Sequence, residues 1–108
     1  MTTVIVDATS ATWNHEVHET GGLVMVNYWA PWCEPCLRML PVIEELANVY
    51  TGKLKVVRLN VDDNSAIAST YRVSIVPTVM FFKGTQKLHE IICAVSKPDL
   101  ERSIQSLS

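Results

Sequence analysis

The sequence predicts an α/β domain built on a mixed sheet, with the element order βαβαβαββα. Three observations carry this expectation. Apolar runs alternate with stretches of helical spacing along the chain. One run, residues 23–29 (Leu-Val-Met-Val-Asn-Tyr-Trp), is almost wholly apolar, as suits a strand covered on both faces. The last two apolar runs are separated by a turn at Gly84-Thr85, which makes them a hairpin. Strands separated by helices become parallel neighbours with right-handed crossovers, and the closing hairpin adds antiparallel pairing.

Residues 4–6 form a short first strand. Residues 8–19, with Trp13 and Val17 four apart, read as a modest helix stopped by Gly21-Gly22. Residues 23–29 follow as the central strand. From residue 33 to 50 the apolar positions Leu40, Ile43, Leu46, Ala47 and Tyr50 keep helical spacing, and Gly52 supplies the stop. Residues 55–61 make the next strand and residues 64–71 a short helix. Residues 78–83 and 87–94 make the hairpin strands. Ser96-Lys97-Pro98-Asp99 opens the final helix: Ser96 caps it, Pro98 needs no amide donor there, and Asp99 sits near the positive end of the dipole.

Composition narrows the function. The chain has 108 residues, 48% of them hydrophobic, with 9 basic and 11 acidic side chains and a formal charge of −2. A chain of this length removes roughly 65% of its extended surface from water on folding, enough for one core without disulfide staples. No repeat or low-complexity linker divides it, so residues 1–108 are expected to be a single domain. No run of like charge offers a footprint for a phosphate backbone, which argues against a nucleic-acid partner. No stretch of eighteen apolar residues is present, which argues against a membrane span. The opening Met-Thr-Thr-Val-Ile-Val-Asp lacks a basic leader with an apolar core, so the expected location is the cytoplasm, or an organelle stroma or matrix if a transit peptide has been removed. Three cysteines cannot all pair within one chain. In a reducing compartment, a close pair with one left over points to chemistry more than to scaffolding.

That chemistry centres on Cys33 and Cys36, in Trp29-Ala30-Pro31-Trp32-Cys33-Glu34-Pro35-Cys36 at the junction of the central strand and the long helix. Cysteines three apart in a first helical turn bring their sulfurs onto one face, close enough to bond, and Pro35 stands where a missing amide costs nothing. Cys33 meets free amide donors and the positive dipole end, which stabilise its thiolate, whereas Cys36, one turn in, is shielded. On that basis Cys33 attacks a substrate disulfide and Cys36 resolves the mixed disulfide. Two other readings are half of a four-ligand zinc site and a pair of buried thiols without a role. Zinc needs two further thiolates or imidazoles, and neither a second Cys-x-x-Cys nor a His-x-x-x-His occurs. His15, Glu16, His18 and Glu19 could be drawn as a metal cluster, but their spacing on an exposed helix face favours plain solvation. Met25, Met39 and Met80 are expected to fill the core. No glycine-rich phosphate loop or dinucleotide fingerprint occurs, so no cofactor is expected beyond a redox-active disulfide.

Along essentially its whole length the sequence resembles the thioredoxin family. The matching pieces are Trp29-Ala30, Trp32-Cys33, Pro35-Cys36, Pro41, Arg58-Leu59-Asn60-Val61-Asp62, Val76-Pro77-Thr78 and Phe82-Lys83. The resemblance implies a central mixed five-stranded sheet flanked by four helices. It further implies a carrier of two electrons and two protons that reduces protein disulfides. Its partners would be disulfide-containing targets and a thioredoxin reductase, NADPH- or ferredoxin-dependent, as electron donor, with the chain itself a monomer. It also implies a cis Val76-Pro77 bond beside the cysteines, with the Val76 backbone pairing to an extended substrate segment. Trp32, Glu34, Pro35, Ile75, Val76, Pro77 and Cys93 would then border the docking surface. The alternatives are an oxidase or isomerase running the exchange the other way, and a low-activity binding module on the same fold.

Four positions depart from the family pattern. Glu34 replaces a glycine; at about 7 Å its repulsion of a Cys33 thiolate is about 0.6 kcal/mol in water and about 2.4 kcal/mol at a surface-like dielectric. Glu34 is therefore expected either to oppose the helix dipole and raise the Cys33 thiol, or simply to be solvated and repel acidic partners. Asn27 stands where the family buries an aspartate that handles the proton of the second cysteine; an amide cannot, so it is expected to be a brake on resolution, a satisfied core amide, or both. Arg58 stands where lysine is common and is expected to reach Asp62 or solvent. Cys93 replaces a groove glycine, and is expected either to be inert packing in an apolar strand or to crowd the groove near Cys33 and form disulfides under oxidation.

Overall fold

The computed structural model describes residues 5–108. Its strands are β1 (Ile5–Ala8), β2 (Leu23–Trp29), β3 (Leu54–Asn60), β4 (Thr78–Lys83) and β5 (Gln86–Ile92), and its helices are α1 (Glu34–Val49), α2 (Ser65–Thr70) and α3 (Lys97–Leu107), with a π-helical turn at Asn14–His18. The sheet order is β1-β3-β2-β4-β5. β3 lies parallel to both β1 and β2, while β4 runs antiparallel to β2 and β5. The mixed five-stranded sheet with four helical segments follows the expectation. Val4, placed in the first strand, lies outside the described residues.

Strand periodicity divides β2 between two cores. Leu23 and Met25 pack with Val56, Val79 and Phe81 against Met39, Ile43 and Leu46 of α1 and Leu100 and Ile104 of α3. Val24, Val26 and Tyr28 pack with Val57, Leu59, Met80 and Phe82 against Trp13 and Val17. Full burial of each large apolar side chain contributes about 1.5–3 kcal/mol, and both faces of β2 collect it. Within the second core Trp13, Tyr28, Tyr71 and Phe82 form an aromatic cluster. The Tyr28 hydroxyl is buried there without a hydrogen-bond partner, and burial pushes its ionisation far above the usual tyrosine range.

The first helix differs most from expectation. Ala8 stays in β1, paired with Leu59, and the helical segment shrinks to Asn14–His18. Thr9 and Thr12 explain the loss. The Thr9 amide donates to Thr12 Oγ1 at 2.8 Å and the Thr12 amide to the Thr9 carbonyl at 3.1 Å, a local turn that competes with helix. The other boundaries move little. α1 begins at Glu34 with Cys33 as its cap, and β5 stops at Ile92, two residues short of the expected end. Gly84-Thr85 makes the hairpin turn, and Ser96 Oγ accepts the Asp99 amide at the start of α3.

Candidate active site

The central strand delivers the chain to the site. After β2 the Cys33 amide donates to the Ala30 carbonyl at 3.1 Å, closing a turn that points the chain into α1. Cys33 is extended (φ −89°, ψ 102°) and caps the helix, its Sγ accepting the Cys36 amide at 3.2 Å. Pro35 occupies the first turn, where the helix requires no donor. Cys33 and Cys36 form a disulfide with their Cα atoms 5.3 Å apart. Exposure does not separate the two as expected: Cys33 is 3% and Cys36 2% accessible. What separates them is helix position, because Cys33 lies outside the first turn among free amide donors while Cys36 lies inside it.

Ala30, Trp29, Val61 and Val76 pack around the pair. The Val76-Pro77 bond is cis. The Pro77 carbonyl accepts the Cys93 amide at 2.9 Å, and Thr78 Oγ1 donates to the Ile75 carbonyl at 2.5 Å. Pro77 is buried and Val76 half-buried, whereas Ile75 and Trp32 stand exposed. Cys93 corrects its inert reading. β5 ends before it, and Cys93 turns out of the strand with a left-handed φ of 76°, exposed to solvent. A side chain in that conformation costs about 1–2 kcal/mol, which is why glycine suits the position better.

Asn27 and Arg58 are register partners on β2 and β3. Asn27 is buried, and its Nδ2 has no hydrogen-bond partner within the described residues. Arg58 reaches neither Asp62 nor open solvent. Its guanidinium stacks 4.0 Å over the Trp29 ring and comes within 3.8 Å of the Asp7 carboxylate, leaving Nε unpartnered. Burial lowers its pKa, opposed by Asp7 and Glu44. Asp62 is engaged elsewhere, accepting the Trp32 indole N–H at 2.9 Å. Its loop is held by Asn60, whose Oδ1 accepts the Asp62 amide at 2.9 Å.

Two relationships at the site escaped the sequence reading. The Trp32–Asp62 bond joins residues thirty apart and leaves no local signal. The second, between Glu34 and Arg38, is an ion pair of 2.6 Å that its i,i+4 spacing announces. Away from the site, His18 is no solvated helix residue. It accepts the Trp13 indole N–H at Nε2 (3.1 Å), and its Nδ1 lies 2.9 Å from the Gly84 carbonyl. Met25, Met39 and Met80 are buried in the cores. Among the described residues no cluster of three metal-ligating side chains exists, and no helix is long and apolar enough to cross a membrane.

The thioredoxin family model matches residues 4–106. The chain belongs to the thioredoxin family. It is 42% identical over 97 residues to thioredoxin 1 of Nostoc sp., covering 90% of this chain and 91% of that protein. It is 44% identical over 99 residues to the chloroplastic M-type thioredoxin of Spinacia oleracea, covering 92% of this chain and 55% of that protein. A thioredoxin of Synechocystis sp. is 40% identical over 95 residues, covering 88% of this chain and 89% of its own. With the disulfide-forming pair, this membership makes the chain a thiol-disulfide oxidoreductase that reduces protein disulfides, and its redox group is the Cys33–Cys36 disulfide. Thioredoxin chemistry also entails disulfide-containing targets and a reductase that restores the dithiol.

Proposed function

We propose that Cys33 is the attacking thiol and Cys36 the resolving thiol of a monomeric, single-domain thioredoxin spanning residues 1–108. The observation supporting these roles is the cap: Cys33 Sγ accepts the Cys36 amide at the head of α1, where added negative charge on sulfur is stabilised. The Cys33 thiolate attacks one sulfur of a target disulfide, forming a mixed disulfide and releasing the other target sulfur as a thiolate that takes a proton. Cys36 then loses its proton and attacks Cys33 Sγ. The Cys33–Cys36 bond forms, the mixed disulfide breaks, and the second target sulfur leaves as a thiol. The target gains two electrons and two protons, and the protein is oxidised by the same amount.

Trp32, Glu34, Pro35, Ile75, Val76, Pro77 and Cys93 border the docking surface, with the Val76 backbone pairing to an extended target strand. Asn27, Arg58 and Glu34 tune the pair. The electron donor is a thioredoxin reductase, NADPH- or ferredoxin-dependent, and the setting is the cytoplasm or an organelle stroma, where thiols remain reduced. Insulin reduction coupled to each class of reductase tests the reading. Cys33→Ser is expected to abolish turnover, and Cys36→Ser to accumulate covalent mixed disulfides through Cys33. Turnover that survives Cys33→Ser, or trapping through Cys36 in place of Cys33, overturns it.

A further inference from the structure

Glu34 is the first residue of α1, next in sequence to the Cys33 cap, and Arg38 lies one turn further along the same face. Arg38 Nη1 donates to Glu34 Oε1 at 2.6 Å. Both side chains are largely exposed, 66% for Arg38 and 77% for Glu34, so the pair adds little to stability. Its placement gives it a different consequence. A lone carboxylate about 7 Å from the Cys33 sulfur, in water, raises the thiol by about 0.4 pH unit. A cation bound to that carboxylate offsets most of this field, because at the sulfur the two charges act as a dipole.

We infer that Arg38 is a positioning residue for the exchange reaction: held by Glu34, it cancels the carboxylate's penalty on the Cys33 thiolate. The Cys-Glu-Pro-Cys sequence thereby presents a polar, sign-changing edge beside the nucleophile without weakening the nucleophile itself. The other titratable or charged groups bordering the site are few. Cys36 lies on the same helix, Arg58 lies over the Trp29 ring that packs against the pair, Asp62 is tied to the Trp32 indole in the loop after β3, and Cys93 is bonded through its amide to Pro77. The Val76-Pro77 segment brings no charge. Arg38 is thus the cation that the structure places against Glu34.

The inference rests on Cys33 being the attacking thiol, and its test separates the two claims. The Cys33 titration is followed by the rate of iodoacetamide alkylation at Cys33 against pH, resolved by peptide mapping from that of the exposed free Cys93, in the reduced protein, in wild type, Arg38→Gln, Glu34→Gln, the double variant and Arg38→Lys. Arg38→Gln is expected to raise the Cys33 midpoint by about 0.4 pH unit and slow alkylation at pH 7 about two- to threefold. The double variant should return to within about 0.2 pH unit of wild type, Glu34→Gln, which leaves the cation alone, should lower the midpoint by up to about 0.4 pH unit, Arg38→Lys should retain most of the wild-type value, and about 1 M salt should erase the differences. An unchanged midpoint in Arg38→Gln overturns the inference. So does an equal rise in Arg38→Gln and in the double variant, since Arg38 would then act without Glu34. If the alkylated sulfur maps to Cys36, or insulin reduction survives Cys33→Ser, the assignment of the attacking thiol has failed instead.

Discussion

The Trp32 indole is 70% exposed, yet its N–H is committed to Asp62, 2.9 Å away across the mouth of the site. The ring is therefore held to Asp62 by one polar contact and is otherwise largely open to solvent. Asp62→Ala should leave stability within about 1 kcal/mol, because water replaces the lost acceptor at so exposed a position. Freeing one large side chain that binding must then order should raise KM for insulin about two- to tenfold, with kcat little altered. Steady-state insulin reduction reads this directly; an unchanged KM would mean that ring orientation does not limit docking.

Asn27→Asp should give the exchange reaction an ionisation it lacks. The Asn27 Nδ2 has no acceptor, and a carboxylate there would be buried beside the Arg58 register partner. Burial raises a carboxyl's pKa and a neighbouring cation lowers it. Release of a preformed mixed disulfide should accelerate as pH rises through that group, by at most about 100-fold. Profiles that superimpose for the two proteins from pH 5 to 9 would show that the amide is no brake.

Cys93→Gly should stabilise the fold by about 1 kcal/mol, because φ at 76° strains any side chain and suits glycine. For a domain of this size that is a rise in Tm of about 4–8 °C. Cys93→Ala keeps the strain and should gain nothing. Urea unfolding of the two variants side by side makes the comparison, and equal stabilities would place the effect elsewhere.

Tyr28→Phe removes a buried hydroxyl that has no partner, so stability at pH 7 should rise by about 1 kcal/mol. The sign at alkaline pH follows from the raised pKa. The folded state holds the phenolic proton more tightly than the unfolded state, which ionises near pH 10. Tyr28 therefore costs nothing extra below about pH 10 and weakens the fold progressively above it. The phenylalanine variant should show a shallower alkaline loss in urea titrations at pH 9 to 11, and parallel losses would refute the assignment.

Periodic and local signals were legible in the sequence. The almost wholly apolar stretch of β2, the Gly84-Thr85 turn and the Ser96 cap each depend on neighbouring residues, and each appears where expected. The shortened first helix was hidden because Thr9 and Thr12 bond to each other's backbone, which spacing alone cannot reveal. Cys93 read as a strand residue from its apolar neighbours, while its conformation is set by the return of the chain to Pro77. Arg58 was misdirected to Asp62, because only the sheet order brings Asp7 alongside it and gives Asp62 to Trp32. The Glu34–Arg38 pair, by contrast, is readable from its i,i+4 spacing.

The cysteine turn is attached to the end of β2, the strand held by ladders on both sides. Opening β2 requires breaking a parallel and an antiparallel ladder together and wetting both cores. Its amides should therefore exchange with deuterium only through global unfolding, slower than those of the outer strands β1 and β5. The redox centre is thus attached to the strand that the sheet holds from both sides.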